Sequence, residues 1–144
     1  MIDLKKEEEK VILVGVSLPG QEDTGQLLDE LAFLADTAGA REVGRVIQSR
    51  DQIHPATYVG TGKIMEIKDL LWETEASGII CDDELSPAQM KNLQDELEVK
   101  VMDRTLLILD IFAARAHTSE GKIQVELAQL KYRQTRLAGF GTAL

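Results

Sequence analysis

Residues 60–63 combine two glycines with a lysine, as in loops whose backbone N–H groups surround a phosphate while the lysine adds positive charge. The phosphate-binding loop of nucleoside triphosphatases also requires Gly at position 57 and Ser or Thr at position 64. This chain has Thr57 and Ile64 there, so the hydroxyl that would bind Mg²⁺ is missing. A different anion or nucleotide site is one interpretation, and a turn that merely reverses the chain is the other. The candidate residues are Gly60, Thr61, Gly62 and Lys63.

A second candidate group consists of charged residues that directly follow two apolar runs. Asp82 and Asp83 follow the first run, and Asp103 and Arg104 follow the second. With Glu84, these carboxylates supply the oxygen ligands that Mg²⁺ prefers. Carboxylates also collect before helices because they favour the positive end of the helix dipole, and this explanation is preferred. We therefore predict neither a metal site nor a catalytic residue, and we keep the four residues as candidates for contact with a nucleotide or anion.

Other reactive side chains are few. The chain has one cysteine, Cys81, so it can form neither an internal disulfide nor a site with several thiolates. Its two histidines, His54 and His117, are not accompanied by a Ser or Cys nucleophile at a recognisable spacing, which excludes a hydrolytic triad. We predict a capping or surface role for both histidines.

The candidate residues converge if strands alternate with helices. Apolar runs predict strands at residues 11–16, 42–49, 78–81 and 99–102. Helical spacing predicts helices at residues 24–38, from residue 64, from residue 87, at 106–116 and at 119–137. The helix at 106–116 is apolar nearly all round, which indicates that it is buried.

One helix start is especially clear. Ser86 can cap the helix, Pro87 suits its first position, and Gln89 completes a capping box.

The pattern as a whole predicts an α/β fold: a four-stranded parallel sheet with helices on both faces, followed by a long C-terminal helix. In such a sheet the carboxyl ends of the strands would bring the two candidate groups together, and residues 52–63 are predicted to be a loop at that edge.

The charge is distributed unevenly. Residues 1–102 carry 10 Lys and Arg against 21 Asp and Glu, whereas residues 103–144 carry 6 against 4. Nucleic-acid binding requires clustered cations, so the overall charge of −9 excludes a general DNA binder. Because the positive balance lies in residues 103–144, any RNA contacts are expected in the last third of the chain. The alternative is an ordinary uneven surface. The RNA-contact candidates are Lys122, Lys131, Arg133 and Arg136.

Composition bounds the class of protein. With 44% hydrophobic and 28% charged residues, and without an apolar run of membrane-spanning length, the sequence is typical of a soluble protein. The first ten residues have mixed charge and lack the apolar core of a signal peptide. We therefore expect a cytoplasmic location and no membrane span.

Motifs distributed along the chain resemble the N-terminal domain of the HflX family of ribosome-associated GTPases. The most specific are Asp-Asp-Glu-Leu-Ser-Pro-Ala-Gln at 82–89 and Gln-Val-Glu-Leu-Ala-Gln-Leu at 124–130. The remaining runs lie at residues 12–16, 29–31, 35–40, 58–63, 103–105 and 108–112. The chain departs from the family at Arg133, Gln134 and Thr135, where an apolar pair and a proline are usual.

The resemblance implies an α/β subdomain, a pair of long antiparallel helices and a GTPase domain that uses GTP and Mg²⁺. Residues 1–116 would form the α/β subdomain, and residues 117–144 the first long helix of a truncated helical subdomain. The GTPase domain, with its cofactors, is expected to be absent from this sequence.

The family binds the large ribosomal subunit and its rRNA, and it promotes subunit splitting or rescue of stalled ribosomes. Whether this chain catalyses a reaction is left open. Two alternatives stay open beside ribosome binding: weak binding of ATP or GTP by this domain, and a homo-oligomer formed through the exposed face of the long helix.

Overall fold

The computed structural model describes the backbone of residues 8–141 and the side chains of residues 8–135. The strands are β1 (Glu9–Ser17), β2 (Ala40–Ser49), β3 (Gly78–Cys81) and β4 (Lys100–Asp103). The helices are α1 (Thr24–Thr37), α2 (Thr61–Thr74), α3 (Pro87–Leu97), α4 (Arg104–Arg115) and α5 (Ser119–Gly141). The elements alternate as predicted, and the α/β fold class is confirmed.

The four strands form one parallel sheet in the order β2-β1-β3-β4. Strand β1 is central, and Val11, Ile12, Leu13 and Val14 are buried because helices cover both faces of the sheet. Helices α1 and α4 contact each other on one face, and α2 and α3 contact each other on the opposite face. Both candidate groups therefore lie on segments that leave the carboxyl ends of the strands.

Local capping explains where the helices begin. The Asp23 side chain accepts a hydrogen bond from the Gly25 amide at 2.8 Å and caps α1. The predicted capping box of α3 is confirmed, because Ser86 Oγ accepts from the Gln89 amide and Gln89 Oε1 accepts from the Ser86 amide. Asp103 caps α4 through its bond from the Leu106 amide. Each cap satisfies an N–H group that would otherwise lack an acceptor.

Two predictions, one of a helix boundary and one of burial, were wrong. Helix α2 begins at Thr61, so residues 61–63 form its first turn and not the end of a loop. Helix α4 is covered on one side only, since Leu106, Leu107 and Ile111 are buried whereas Phe112 is 56% exposed. An apolar composition all round cannot tell which side of a helix the sheet covers.

Helix α5 packs against the α/β layers. It contacts both α3 and α4, which lie on opposite faces of the sheet, and it therefore passes the edge formed by β4. The division at residues 116 and 117 stays a prediction. Among residues 8–141, no helix is both long and apolar enough to cross a bilayer.

Candidate functional site

The carboxyl edge of the sheet is where a ligand would bind in this fold class. Open parallel sheets bind ligands where neighbouring strands continue to opposite faces. Here that position lies between β1, which continues into α1, and β3, which continues into α3. The segments after β3 and β4 carry the predicted residues Asp82, Asp83, Asp103 and Arg104.

Asp82 and Arg104 form an ion pair across this edge. Arg104 Nη2 is 2.5 Å from Asp82 Oδ1, and Arg104 Nε is 3.1 Å from the same oxygen. The guanidinium group also donates to the backbone carbonyls of Asp82 and Leu27, each at 3.2 Å. Arg104 thus links β3 to α1, and its donors are largely engaged within the chain.

Asp103 is completely buried and accepts three hydrogen bonds. Its Oδ1 accepts from the Leu106 amide at 2.9 Å, and its Oδ2 accepts from the Leu85 amide at 2.9 Å and from the Tyr132 hydroxyl. One carboxylate therefore joins the start of α4, the loop before α3 and the long helix α5. This is a structural role, because the oxygens of a buried carboxyl group need such donors to offset the loss of water.

Asp83 is held by Tyr58, a residue that the sequence analysis did not select. The Tyr58 hydroxyl donates to Asp83 Oδ2 at 2.6 Å, and the Tyr58 side chain is 1% exposed. Burial, followed by the nearby Cys81 and Asp83, raises the pKa of Tyr58 well above its usual range. Its backbone has a φ of 68°, the left-handed region that non-glycine residues rarely adopt. A residue-type pattern does not reveal such a conformation.

The glycine-lysine segment is positioned by residues of β2 and the segment after it. The Gly60 amide donates to Gln48 Oε1 at 2.8 Å, and a Cβ atom at Gly60 would lie 2.9 Å from Arg50 Nη1. A side chain at residue 60 would therefore require the Arg50 guanidinium group to move. Lys63 Nζ lies 2.9 Å from Glu66 Oε2 and forms a pair on the surface of α2.

The structure thus places four of the predicted residues at the carboxyl edge in three separate sets of contacts, and Lys63 of the glycine-lysine segment pairs elsewhere, with Glu66. Asp82, Asp83, Asp103 and Arg104 all have partners within the chain. Within the described residues, no group of three or more His, Cys, Asp or Glu side chains is arranged to hold a metal ion. The chemistry of this edge is the positioning of loops and of α5 by charge-assisted hydrogen bonds.

The histidine and cysteine environments agree with this description. His54 Nδ1 accepts from the amides of Ala56 and Thr57, at 3.1 and 3.3 Å, so His54 stabilises the turn that precedes Tyr58. His117 is exposed. Cys81 is buried, and burial raises the pKa of its thiol well above the ordinary value.

The RNA-contact candidates lie on α5, and helix geometry places them on two different sides of its axis. Lys122 and Arg133 are eleven residues apart and lie about 20° apart around the axis, whereas Lys131 lies about 180° from Lys122. All three side chains are exposed, and Arg133 Nη2 is 3.8 Å from Asp110 Oδ1. The side chain of Arg136 lies outside the described residues.

An apolar stripe separates these cations on the outer side of α5. Ile123 is 63% exposed, Leu127 48% and Leu130 61%. The inner side is attached to the α/β layers by polar contacts, including a bond from Gln129 Nε2 to Asp110 Oδ1 at 2.7 Å. Helix α5 therefore presents an apolar stripe outward, with Lys131 on one flank and Lys122 and Arg133 on the other.

Comparisons with known proteins agree with this architecture. Residues 25–113 match the family described as GTP-binding GTPase N-terminal, and residues 115–144 match GTP-binding GTPase Middle Region. A GTP-binding protein from Sulfolobus solfataricus, solved in complex with GDP, superposes with a TM-score of 0.69 at 29% identity. That match covers 92% of this chain and 40% of the solved chain.

Curated relatives are similar over nearly the whole sequence. GTPase HflX of Lacrimispora saccharolytica is 62% identical over 144 residues, covering 100% of this chain and 34% of the relative. GTPase HflX of Escherichia coli is 44% identical over 137 residues, covering 95% of this chain and 32% of the relative. The chain thus spans about a third of the length of these relatives. It belongs to the HflX family of GTPases and corresponds to the family's N-terminal region and the beginning of its middle region.

Proposed function

We propose that this chain is the ribosome-binding region of an HflX-type GTPase, which binds the large ribosomal subunit and promotes subunit splitting or rescue of stalled ribosomes. The proposal includes a cytoplasmic location, where ribosomes are found. It places GTP and Mg²⁺ binding outside residues 1–144, because Thr57 and Ile64 break the one segment that resembles a phosphate-binding loop.

The observation that supports the proposal is the set of exposed cations on α5. The α/β part of the chain is strongly acidic, with a balance of −11 over residues 1–102, so most of its surface would repel rRNA. Lys122, Lys131 and Arg133 are instead exposed side chains on the two flanks of a helix whose Gln129 and Arg133 contact Asp110 of the α/β part. Phosphate contacts by these cations would orient the domain on RNA without reading its sequence.

Co-sedimentation with purified large ribosomal subunits tests the proposal. The test variant is Lys122→Gln/Lys131→Gln/Arg133→Gln, and the matched control is Arg41→Gln/Lys91→Gln/Lys100→Gln. The control residues form ion pairs on the α/β part, and both triple variants replace two Lys and one Arg. Their overall charge is therefore the same, and only the location of the lost cations differs.

We expect the chain to bind at low salt and the α5 variant to bind more weakly. Each lost phosphate contact should reduce the slope of log affinity against log salt by about 0.7 to 0.9, so three contacts would reduce it by about 2 to 3. The control should keep the original slope. Absence of binding by the unaltered chain, or an equal loss in both variants, would contradict the proposal.

A further inference from the structure

Trp72 is the single tryptophan of the chain, and it is 86% exposed on α2. Met65, two helical turns earlier and on the same flank, is 56% exposed. Lys68 lies between them, and its Nζ is 3.6 Å from Glu96 Oε2 of α3. This flank of α2 therefore borders the groove between α2 and α3. An indole ring is among the largest apolar groups in proteins, and exposure of this extent is typical of a binding surface.

An open depression of about 500 Å³ adjoins the indole ring. It is lined by Leu71, Trp72, Glu73 and Glu75. We call these four residues together with Met65 the Trp72 surface. Apolar atoms and carboxylates thus meet at one place, so the surface suits a ligand that is itself part apolar and part cationic.

Within the described part of the chain, no ion pair neutralises the carboxylates beside Trp72. Among residues 8–135, no Lys or Arg forms an ion pair with Asp69, Glu73 or Glu75. The two lysines of α2 have other partners, because Lys63 pairs with Glu66 and Lys68 with Glu96. The last turn of α2 adds the negative end of the helix dipole, where Lys10 Nζ donates one bond of 3.4 Å to the Thr74 carbonyl.

We propose that the Trp72 surface binds a segment of another polypeptide that is rich in Lys or Arg. A guanidinium or ammonium group can lie on the face of the indole ring and pair with the Glu73 and Glu75 carboxylates, while its aliphatic part contacts Leu71. Arginine fits best, because its planar group stacks on aromatic rings and binds carboxylates with two parallel bonds.

The same observations disfavour the other classes of occupant. RNA would bring phosphates against three carboxylates, which repel them. A second copy of this chain has a net charge of −9 and would add to the repulsion unless its α5 cations were used. The Trp72 surface lies on α2, whereas the cations of the proposed ribosomal contact lie on α5, so the two proposals rest on different helices. The inference is therefore independent of the proposed ribosomal function.

Trp72 fluorescence provides a direct test, since the emission of the single indole reports on this surface alone. The full chain is titrated with deca-arginine at low ionic strength, with decauridylate as the nucleic-acid probe. The variant Glu73→Gln/Glu75→Gln removes the carboxylates, and Glu22→Gln/Glu120→Gln is the matched control with two exposed carboxylates removed elsewhere. Binding to Trp72→Ala is measured by the anisotropy of fluorescein-labelled deca-arginine.

We expect a saturable change in Trp72 emission with deca-arginine and none with decauridylate. The dissociation constant should rise about tenfold in Glu73→Gln/Glu75→Gln and in Trp72→Ala, and stay unchanged in the control. Equal weakening in the control would show attraction by overall charge and overturn the proposal. So would emission that changes with decauridylate, or emission that changes with protein concentration alone as light scattering detects a dimer.

Discussion

Substitution of Asp103 tests most directly whether the residues of the carboxyl edge stabilise the fold. In Asp103→Asn the side chain keeps one carbonyl oxygen, whereas the native carboxylate uses Oδ1 for the Leu106 amide and Oδ2 for Leu85 and Tyr132. The new NH₂ group must therefore face at least one N–H donor in a site with no exposure to solvent. Either orientation of the amide loses contacts that the native residue makes.

The expected cost follows from those contacts. Loss of a helix cap costs about 1 kcal/mol, and a buried donor without an acceptor costs about 1 to 3 kcal/mol. Asp103→Asn should therefore lower the free energy of unfolding by about 2 to 4 kcal/mol, a large part of the stability of a domain of this size. Tyr132→Phe, which removes one of the three donors, should cost about 1.5 kcal/mol.

Urea unfolding followed by far-ultraviolet circular dichroism measures both values. Asp110→Asn is the matched control, because Asp110 lies on the helix that Asp103 caps, is half-buried and bonds Gln129 and Arg133 near the surface. Its cost should stay below about 1 kcal/mol. Hydrogen exchange at the Leu85 amide should accelerate in Asp103→Asn. A change in unfolding free energy no larger than that of Asp110→Asn would refute the structural role of Asp103.

The remaining predictions concern glycine, alkaline pH and the candidate nucleotide segment. Gly78→Ala should destabilise the chain by more than about 2 kcal/mol, because the added Cβ would lie 2.6 Å from the Lys100 carbonyl oxygen. Gly62→Ala meets nothing within 4 Å and should be neutral or stabilising in the same urea assay; the reverse order would contradict both. Above pH 10.0 the unfolded state loses the Tyr58 proton that the folded state keeps, so this group should lower the unfolding free energy as pH rises, by about 1.4 kcal/mol in total between pH 9 and pH 11. Tyr58→Phe should lack that part of the slope in urea titrations from pH 9 to 11, and an unchanged slope would count against it. Lys63→Ala should leave any calorimetric heat of ATP or GTP binding with Mg²⁺ unchanged, since Lys63 pairs with Glu66, and a weakened affinity would assign the lysine to a nucleotide site.

The candidate residues of the carboxyl edge were predictable as neighbours but not in their roles. Asp82 follows β3 and Asp103 is the last residue of β4, and strand ends meet in a parallel sheet, so their proximity follows from the pattern. Their partners do not follow from it. Arg104 reaches Asp82 across 22 positions of sequence, and the Tyr58 hydroxyl reaches Asp83 across 25.

For the exposed residues of α5 and α2, likewise, the sequence shows the residue types but not which side of each helix is exposed. The lysines and arginines of the last helix are visible in the sequence, and so is the acidic balance of the first two-thirds. Which side of α5 faces outward depends on its contacts with α3 and α4. The exposure of Trp72 likewise depends on where α2 meets the sheet, because Ile64, Ile67 and Leu71 form its buried side.

The sequence by itself determined the strands, the helices and the capping box at Ser86, because these depend on periodicity and on hydrogen bonds between residues at most four positions apart. It also determined the family through ordered motifs. The tertiary structure decided three further features. Asp103 is buried and joins three segments, Tyr58 has a left-handed backbone conformation, and Lys63 pairs with Glu66 and not with the carboxylates of the carboxyl edge. These features depend on contacts between segments that are distant in the sequence. Such contacts form only when the helices pack on the sheet, and neither residue type nor spacing predicts them.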